Sequence, residues 1–258
     1  MKNYITSAFE LWFFAIVTLL LISCSGDDSS GASNNTPGAS YTNEEREFAS
    51  LTTNFFKPDN PDYRGIICLG SGNDPMDPSE GSLNDSYLIS LSKKLAGQGY
   101  LVAIVQYRDQ PAVGANWENW AGNAAMLATD LSNVATAMAD EYGLDRSKVI
   151  LGGSSYAANT LISHSAWGNG TFTDIKGIIA IMGSSSLETA QNISSPILSF
   201  ACDGEPFGDY YGNAIYNAIA DAEIKSESFG LTDGSCSGHS TNNDWQDTIV
   251  DKVAVWLP

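Results

Sequence analysis

V-I-L-G-G-S-S-Y-A-A-N-T, residues 149–160, is the stretch on which the reading of this chain turns. An apolar run stops at Gly152 and Gly153, presents Ser154 and Ser155, and passes into small residues suited to a helix. A serine hydroxyl is a weak nucleophile unless its oxygen is held exposed beside a base. A tight strand-to-helix turn does this, because small residues on either side let the backbone double back. In the spacing G-x-S-x-G the window is Gly153, Ser154, Ser155, Tyr156, Ala157, with Ala157 where a second glycine would stand. That frame makes Ser155 the candidate nucleophile. Ser154 would need glycine at the position of Tyr156, which is too large. An ordinary strand–turn–helix with a serine N-cap has the same local look, so the surroundings decide.

Outward from this window, strands and helices alternate. The chain has 258 residues, 43% of them hydrophobic, which suits one α/β domain with a sizeable core. Residues 64–70 (R-G-I-I-C-L-G) and 100–107 (Y-L-V-A-I-V-Q-Y) are continuous apolar runs, as expected of strands buried on both faces. Residues 82–96 predict a helix with Ser82 as N-cap, and 116–142 a long helix ended by Gly143. Strand 147–152 leads into the serine turn and helix 155–166 leaves it. Further strands are expected at 175–182 and 196–202, a helix at 210–222, a last strand at 223–229 and a closing helix at 244–257. Residues 41–63 are expected to be a short leader with one helical stretch, 44–55. Repeated βα units imply a mainly parallel sheet with helices on both faces.

The amino terminus has its own signals. Residues 11–22 form an apolar run too short to span a bilayer comfortably. It ends in Leu21-Ile22-Ser23-Cys24, which resembles the lipobox of bacterial lipoproteins. The resemblance implies a signal peptide over 1–23, lipidation of Cys24, and anchorage to a bacterial outer membrane, at the cell surface or in the periplasm. Residues 25–40 hold nothing larger than Asn or Asp except Pro37, too little apolar surface to offset the entropy of folding. Residues 24–40 therefore read as a flexible tether and 41–258 as the folded domain. The net charge of −18 would repel a phosphate backbone, so nucleic acid is not an expected partner.

The order of elements, with the serine turn after a central strand, resembles the α/β-hydrolase fold from about residue 64 onward. Within that superfamily, G-Y-L-V-A-I-V-Q-Y-R (99–108) and D-E-Y-G-L-D-R-S-K-V-I-L-G-G-S-S (140–155) resemble small bacterial esterases related to acetyl-xylan and feruloyl esterases. A base is then required, and the chain has two histidines. His164 is nine positions after Ser155 on the same predicted helix, about 13 Å along its axis and out of reach. His239 lies in the segment 231–243, between the last strand and the last helix, where α/β-hydrolases carry their catalytic histidine. The acid is expected after strand 196–202, in C-D-G-E-P-F. Relatives often read H-G-x-x-D-P there, which places Glu205 at the acid, with Asp203 as the alternative. Here Ala201 and Cys202 replace the usual His-Gly.

Negative charge developing on an attacked carbonyl needs backbone donors already in place. One is expected from Tyr156, the residue after the serine. The other is expected from Ser71 or Gly72, in a loop where related esterases have H-G-G-G and this chain has L-G-S-G. Cys202 precedes Glu205 by three positions and Cys236 precedes His239 by three. A disulfide between them would tie the two loops together, leaving Cys68 a reduced core thiol. The acidic run 73–85 reads as a proline-rich turn without the ligand spacing of a calcium loop, and no metal is expected there. Trp120 falls on the apolar stripe of its helix and is expected in the core, while Trp117 is open. About a dozen residues separate 182 from 196, too few for a large cap. The resemblance thus implies a monomeric, cofactor-free serine hydrolase cleaving carboxylic esters, with acyl groups on carbohydrates as one substrate class. The rivals are a peptidase or thioesterase using the same groups, and a catalytically silent binding module.

Overall fold

The computed structural model describes residues 39–113, 119–168, 172 and 174–258. The expected signal peptide over 1–23, the expected lipidation site Cys24, the part of the expected tether up to residue 38, and Trp117 lie outside these. Ten strands and seven helices follow in order: β1 (Tyr41–Phe48), β2 (Leu51–Pro58), β3 (Gly65–Gly70), α1 (Ser86–Ala96), β4 (Tyr100–Val105), α2 (Trp120–Tyr142), β5 (Val149–Ser154), α3 (Tyr156–Trp167), β6 (Gly177–Ile181), β7 (Ser184–Ser185), α4 (Leu187–Gln191), β8 (Ile197–Asp203), β9 (Tyr210–Tyr211), α5 (Asn213–Ala218), α6 (Ala222–Glu227), β10 (Phe229–Ser237) and α7 (Trp245–Trp256). Eight strands form one sheet in the order β1-β2-β4-β3-β5-β6-β8-β10. From β4 to β10 every neighbour is parallel; β1 and β2 join antiparallel.

The expected mainly parallel sheet, with helices on both faces and no large cap, is the architecture found. Each residue of β3, β4 and β5 is buried, which is why their sequences are unbroken apolar or small runs rather than alternations. One face packs on α2 and α3 through Leu127, Leu131, Val134 and Leu161. The other packs on α1 and α7 through Leu88, Leu91, Leu95, Ile249 and Val253. Chain order reverses at β3, whose neighbours are β4 and β5. At such a point the crossover connections leave in opposite directions and open a crevice at the carboxyl ends of the strands. The segments after β3 and β5 share that crevice.

Four expectations are corrected. Residues 44–55 are not helical: β1 and β2 form a hairpin in which Phe48 pairs Leu51. Its two-residue turn, Ala49-Ser50, has φ of 52° and 64° at both positions. Such a turn normally announces itself by Asn-Gly or Asp-Gly, so Ala-Ser hid it. The first helix starts later than residue 82, because Asp85 Oδ1 accepts from Tyr87 N and Leu88 N, each at 3.0 Å, and caps it. The helix expected at 210–222 is split between α5 and α6. The strand expected at 223–229 lies further on, in β10: Asp221 caps α6 by accepting from Glu223 N and Ile224 N, which winds residues 222–227 into a helix. β10 is a half-exposed edge strand with two glycines and no apolar run, so its pattern is weak.

Candidate active site

Ser155 sits between β5 and α3 with φ 51° and ψ −113°, a strained conformation for a residue with a side chain. Close packing holds it there. A Cβ on Gly153 would stand 2.5 Å from the Ala157 Cβ and 2.7 Å from Gly70 O. The two glycines therefore leave the room that Ala157 fills, and alanine serves where a second motif glycine was absent. Ser155 N donates to Ile181 O at 2.8 Å. Ser154 Oγ donates instead to Asp85 Oδ2 at 3.2 Å, so its hydroxyl is occupied at the root of α1.

His239 follows β10 and places Nε2 2.7 Å from Ser155 Oγ. Its Nδ1 lies 2.8 and 2.9 Å from the two carboxylate oxygens of Glu205. The Glu205 side chain is fully buried. Asp203 ends β8 exposed, and its carbonyl accepts from Gly238 N at 2.8 Å. Of the two carboxylates, Glu205 is the one brought to the imidazole. Phe207 lies edge-on to the His239 ring at 4.7 Å and is well exposed. His164 is elsewhere, buried against Phe172 at 4.9 Å, with burial pushing its pKa below the usual value.

Tyr156 is the first residue of α3, so its N–H has no intrahelical acceptor. Its hydroxyl is buried, donating to Gln110 Oε1 at 2.5 Å and accepting from Asn123 Nδ2 at 3.0 Å. Gly72 stands beside Ser155: a Cβ there would be 3.1 Å from the Ser155 Cβ and 3.6 Å from its Oγ. Ser71 is buried, and its Oγ accepts from Ser82 N at 2.7 Å. Trp120 is only partly in the core. It stacks edge-on to Tyr156 at 5.6 Å, donates to Ser163 Oγ at 2.9 Å, and lines the cleft. That cleft, about 1040 Å³, holds Ser155, His239 and Glu205 with Met76, Phe207 and Ser184 among its walls. β7, α4 and β9 occupy the place where a cap would be inserted, as a small shelf in which Ser184 pairs Tyr211.

Cys202 and Cys236 are joined by a disulfide with Cα atoms 5.1 Å apart, and Cys68 is a buried free thiol whose pKa burial raises. Asp233, which no sequence motif singles out, also ties the histidine segment. Its Oδ1 accepts from Ser235 N at 2.8 Å and Ser235 Oγ at 2.7 Å; its Oδ2 accepts from Asn242 Nδ2 at 2.9 Å and Trp245 Nε1 at 2.8 Å. These bonds, Ser235 first, hold its carboxyl well below the usual range. Asp-Gly-Ser at 233–235 is legible as a turn, but its partners at 242 and 245 are not. Among the described residues, no group of three or more His, Cys, Asp or Glu could hold a metal ion. In the acidic run, Asp74 closes a turn onto Met76 N and Asp85 caps α1.

No protein-family profile and no curated protein matches this sequence. Solved structures do resemble it. A protein from Thermus thermophilus superposes with a TM-score of 0.56 at 14% identity, covering 84% of this chain and 98% of that one. A cold-adapted esterase from an Arctic intertidal metagenomic library gives 0.56 at 13% identity, over 89% of this chain and 99% of its own. A puromycin hydrolase gives 0.59 at 13% identity over 87% of this chain, which spans only 40% of that enzyme. At this identity the likeness shows the fold, and the fold is that of α/β-hydrolases.

Proposed function

We propose that this protein is a serine hydrolase that cleaves carboxylic esters through an acyl-enzyme. The observation that carries the reading is the continuous hydrogen-bonded chain from Ser155 Oγ through His239 to Glu205. Glu205 can only accept while ionised, so it fixes the imidazole hydrogen on Nδ1 and leaves the Nε2 lone pair facing the serine. As Ser155 Oγ attacks an ester carbonyl, its proton passes to Nε2. The carbonyl oxygen becomes an anion, met by the N–H groups of Tyr156 and Gly72. The tetrahedral species collapses, the C–O bond to the alcohol breaks, and Nε2 returns the proton to the leaving oxygen. Water then enters, His239 takes one of its protons, and the acid is released with the serine restored. No step draws on a cofactor.

The open cleft, walled by Trp120, Met76 and Phe207, suits esters carried on bulky or polymeric groups, including acyl groups on carbohydrates. The same groups could serve a peptidase or thioesterase; esters are favoured as the chemically easier substrate for an open site. Against a silent binding module stands the strained Ser155 backbone, a cost that binding alone gives no reason to keep. The lipobox reading places the enzyme on a lipid anchor at Cys24, and fatty-acid labelling of wild type but not Cys24→Ala tests that reading. For the chemistry, wild type is expected to hydrolyse p-nitrophenyl acetate, and Ser155→Ala to lose about 10⁴-fold or more in kcat. A fluorophosphonate is expected to label one serine per chain. Wild-type protein that neither turns over nor labels overturns the reading.

A further inference from the structure

Beneath the nucleophile lies a buried phenol to which the mechanism above gives no task. Tyr107 follows β4 and is completely buried. Its hydroxyl donates to Ser71 O at 3.1 Å and accepts from Asn73 Nδ2 at 3.2 Å, and the same amide donates to Ser79 O at 2.7 Å. The ring is clamped: Gly81 N donates to Tyr107 O at 2.8 Å, and a Cβ on Gly81 would stand 2.6 Å from the ring. Burial raises the pKa of the phenol, so it remains a neutral donor through the neutral range.

The Ser71 carbonyl and the Gly72 N–H belong to one peptide unit, and in a trans peptide they point in opposite directions. Pinning the carbonyl to an interior hydroxyl turns the N–H outward, on the side where Gly72 approaches Ser155. That N–H donates to no described residue. The constraint matters because turning this peptide over changes ψ of Ser71 and φ of Gly72, and glycine takes either sign of φ at little steric cost. A turned peptide would aim a carbonyl, and so a partial negative charge, at the place where the oxyanion forms.

We infer that Tyr107 is a positioning residue for transition-state stabilisation: by holding the Ser71 carbonyl, its hydroxyl aims the Gly72 N–H at the oxygen of the attacked carbonyl. The inference rests on the serine-hydrolase reading above and adds to it the group that orients the Ser71–Gly72 peptide. Ser155 and Tyr107 never touch substrate together; the phenol acts only through the peptide.

The experiment compares Tyr107→Phe with wild type on p-nitrophenyl acetate, after active sites have been counted by fluorophosphonate titration. Loss of one oxyanion donor costs about 10²–10³ in kcat, and a misaimed one is expected to cost about 10–100-fold with KM within about twofold. Affinity for a phenylboronic acid, whose serine adduct places an anionic oxygen at the same spot, should fall by a similar factor. Tyr87→Phe is the control, since the Tyr87 hydroxyl is buried without a partner, and its kcat should match wild type. A merely structural phenol would lower the titrated fraction or the melting temperature and leave kcat per site and boronate affinity in place. That result overturns the inference. If Tyr107→Phe does not fold, Asn73→Asp replaces the amide donor with a carboxylate that takes the phenol hydrogen from Ser71, and unchanged kcat and boronate affinity there overturn it equally. Wild-type protein without Ser155-dependent turnover is a separate result, and it removes the serine reading itself.

Discussion

Ser155 and Gly72 leave the middle of the sheet, from β5 and β3, whereas Glu205 and His239 hang from β8 and β10 at one side of it. β3 and β5 have hydrogen-bonded neighbours on both sides, and all their residues are buried. Among the described residues β10 is bonded only to β8; it is partly exposed along its length and breaks register between Asp233 and Ser237. The inner half is held by the close packing of Gly153 against Ala157 and Gly70 and by the hydrogen bond of the Tyr107 hydroxyl to Ser71 O. The outer half is fixed by added ties, the Cys202–Cys236 disulfide and the four donors on Asp233. Reaching hydrogen-bond geometry across the crevice demands accuracy of a few tenths of an ångström on both sides. An edge strand does not supply that by packing alone.

The largest effect is expected in the outer half. Glu205→Gln should cost about 10³–10⁴-fold in kcat, because the amide can stabilise the wrong tautomer of His239, while Asp203→Asn should stay within about threefold. Steady-state rates of the two variants decide; a greater loss from Asp203→Asn would mean the acid had been misplaced. For the inner half, Gly153→Ala puts a methyl where no space exists. Overpacking at that contact is expected to destabilise by about 1–3 kcal/mol in urea unfolding and to lower kcat about a hundredfold. Full activity in that variant would show that packing does not set the serine.

Next comes the covalent tie. Replacing Cys202 and Cys236 together by serine opens a loop closed over a sequence separation of 34, worth about 3–4 kcal/mol on the chain-entropy model. Denaturant unfolding should show it, with kcat per titrated serine falling about tenfold as the acid and base loops drift apart. The smallest effect concerns Asp233→Asn. The folded pKa of Asp233 lies below its ordinary value. Its contribution is therefore complete above the usual carboxylate pKa of about 4 and is lost as pH falls further. The difference in melting temperature between wild type and variant should be constant above about pH 5 and shrink below about pH 4. A difference independent of pH would show that the carboxylate charge is not what holds the histidine segment.

Much of the inner half was legible in the sequence. Residues 149–154 and 65–70 are too apolar and too small to be anything but buried strands, and the serine spacing depends on neighbours in the chain. The hairpin at 41–58 was not legible, because Ala49 and Ser50 take positive φ without the residues that usually mark it. The last strand was misplaced because an edge strand carries no two-faced apolar run, and a capped helix fits residues 222–227 better. Glu205 came from a pattern with departures in it, and only the fold separates it from Asp203. Asp233 and Tyr107 gave no signal at all: each reads locally as a turn or a strand end, and each works through partners far along the chain.

By itself the sequence determined the class of fold, the serine at the turn, and a histidine placed after the last strand, since these follow from local periodicity and from there being two histidines to choose between. The tertiary structure decided which carboxylate meets the imidazole, which peptide faces the serine, and what holds the edge loops in place. Those are questions of distance across the crevice. Chain order does not encode such distances until the sheet brings strands 34 to 84 residues apart within bonding reach.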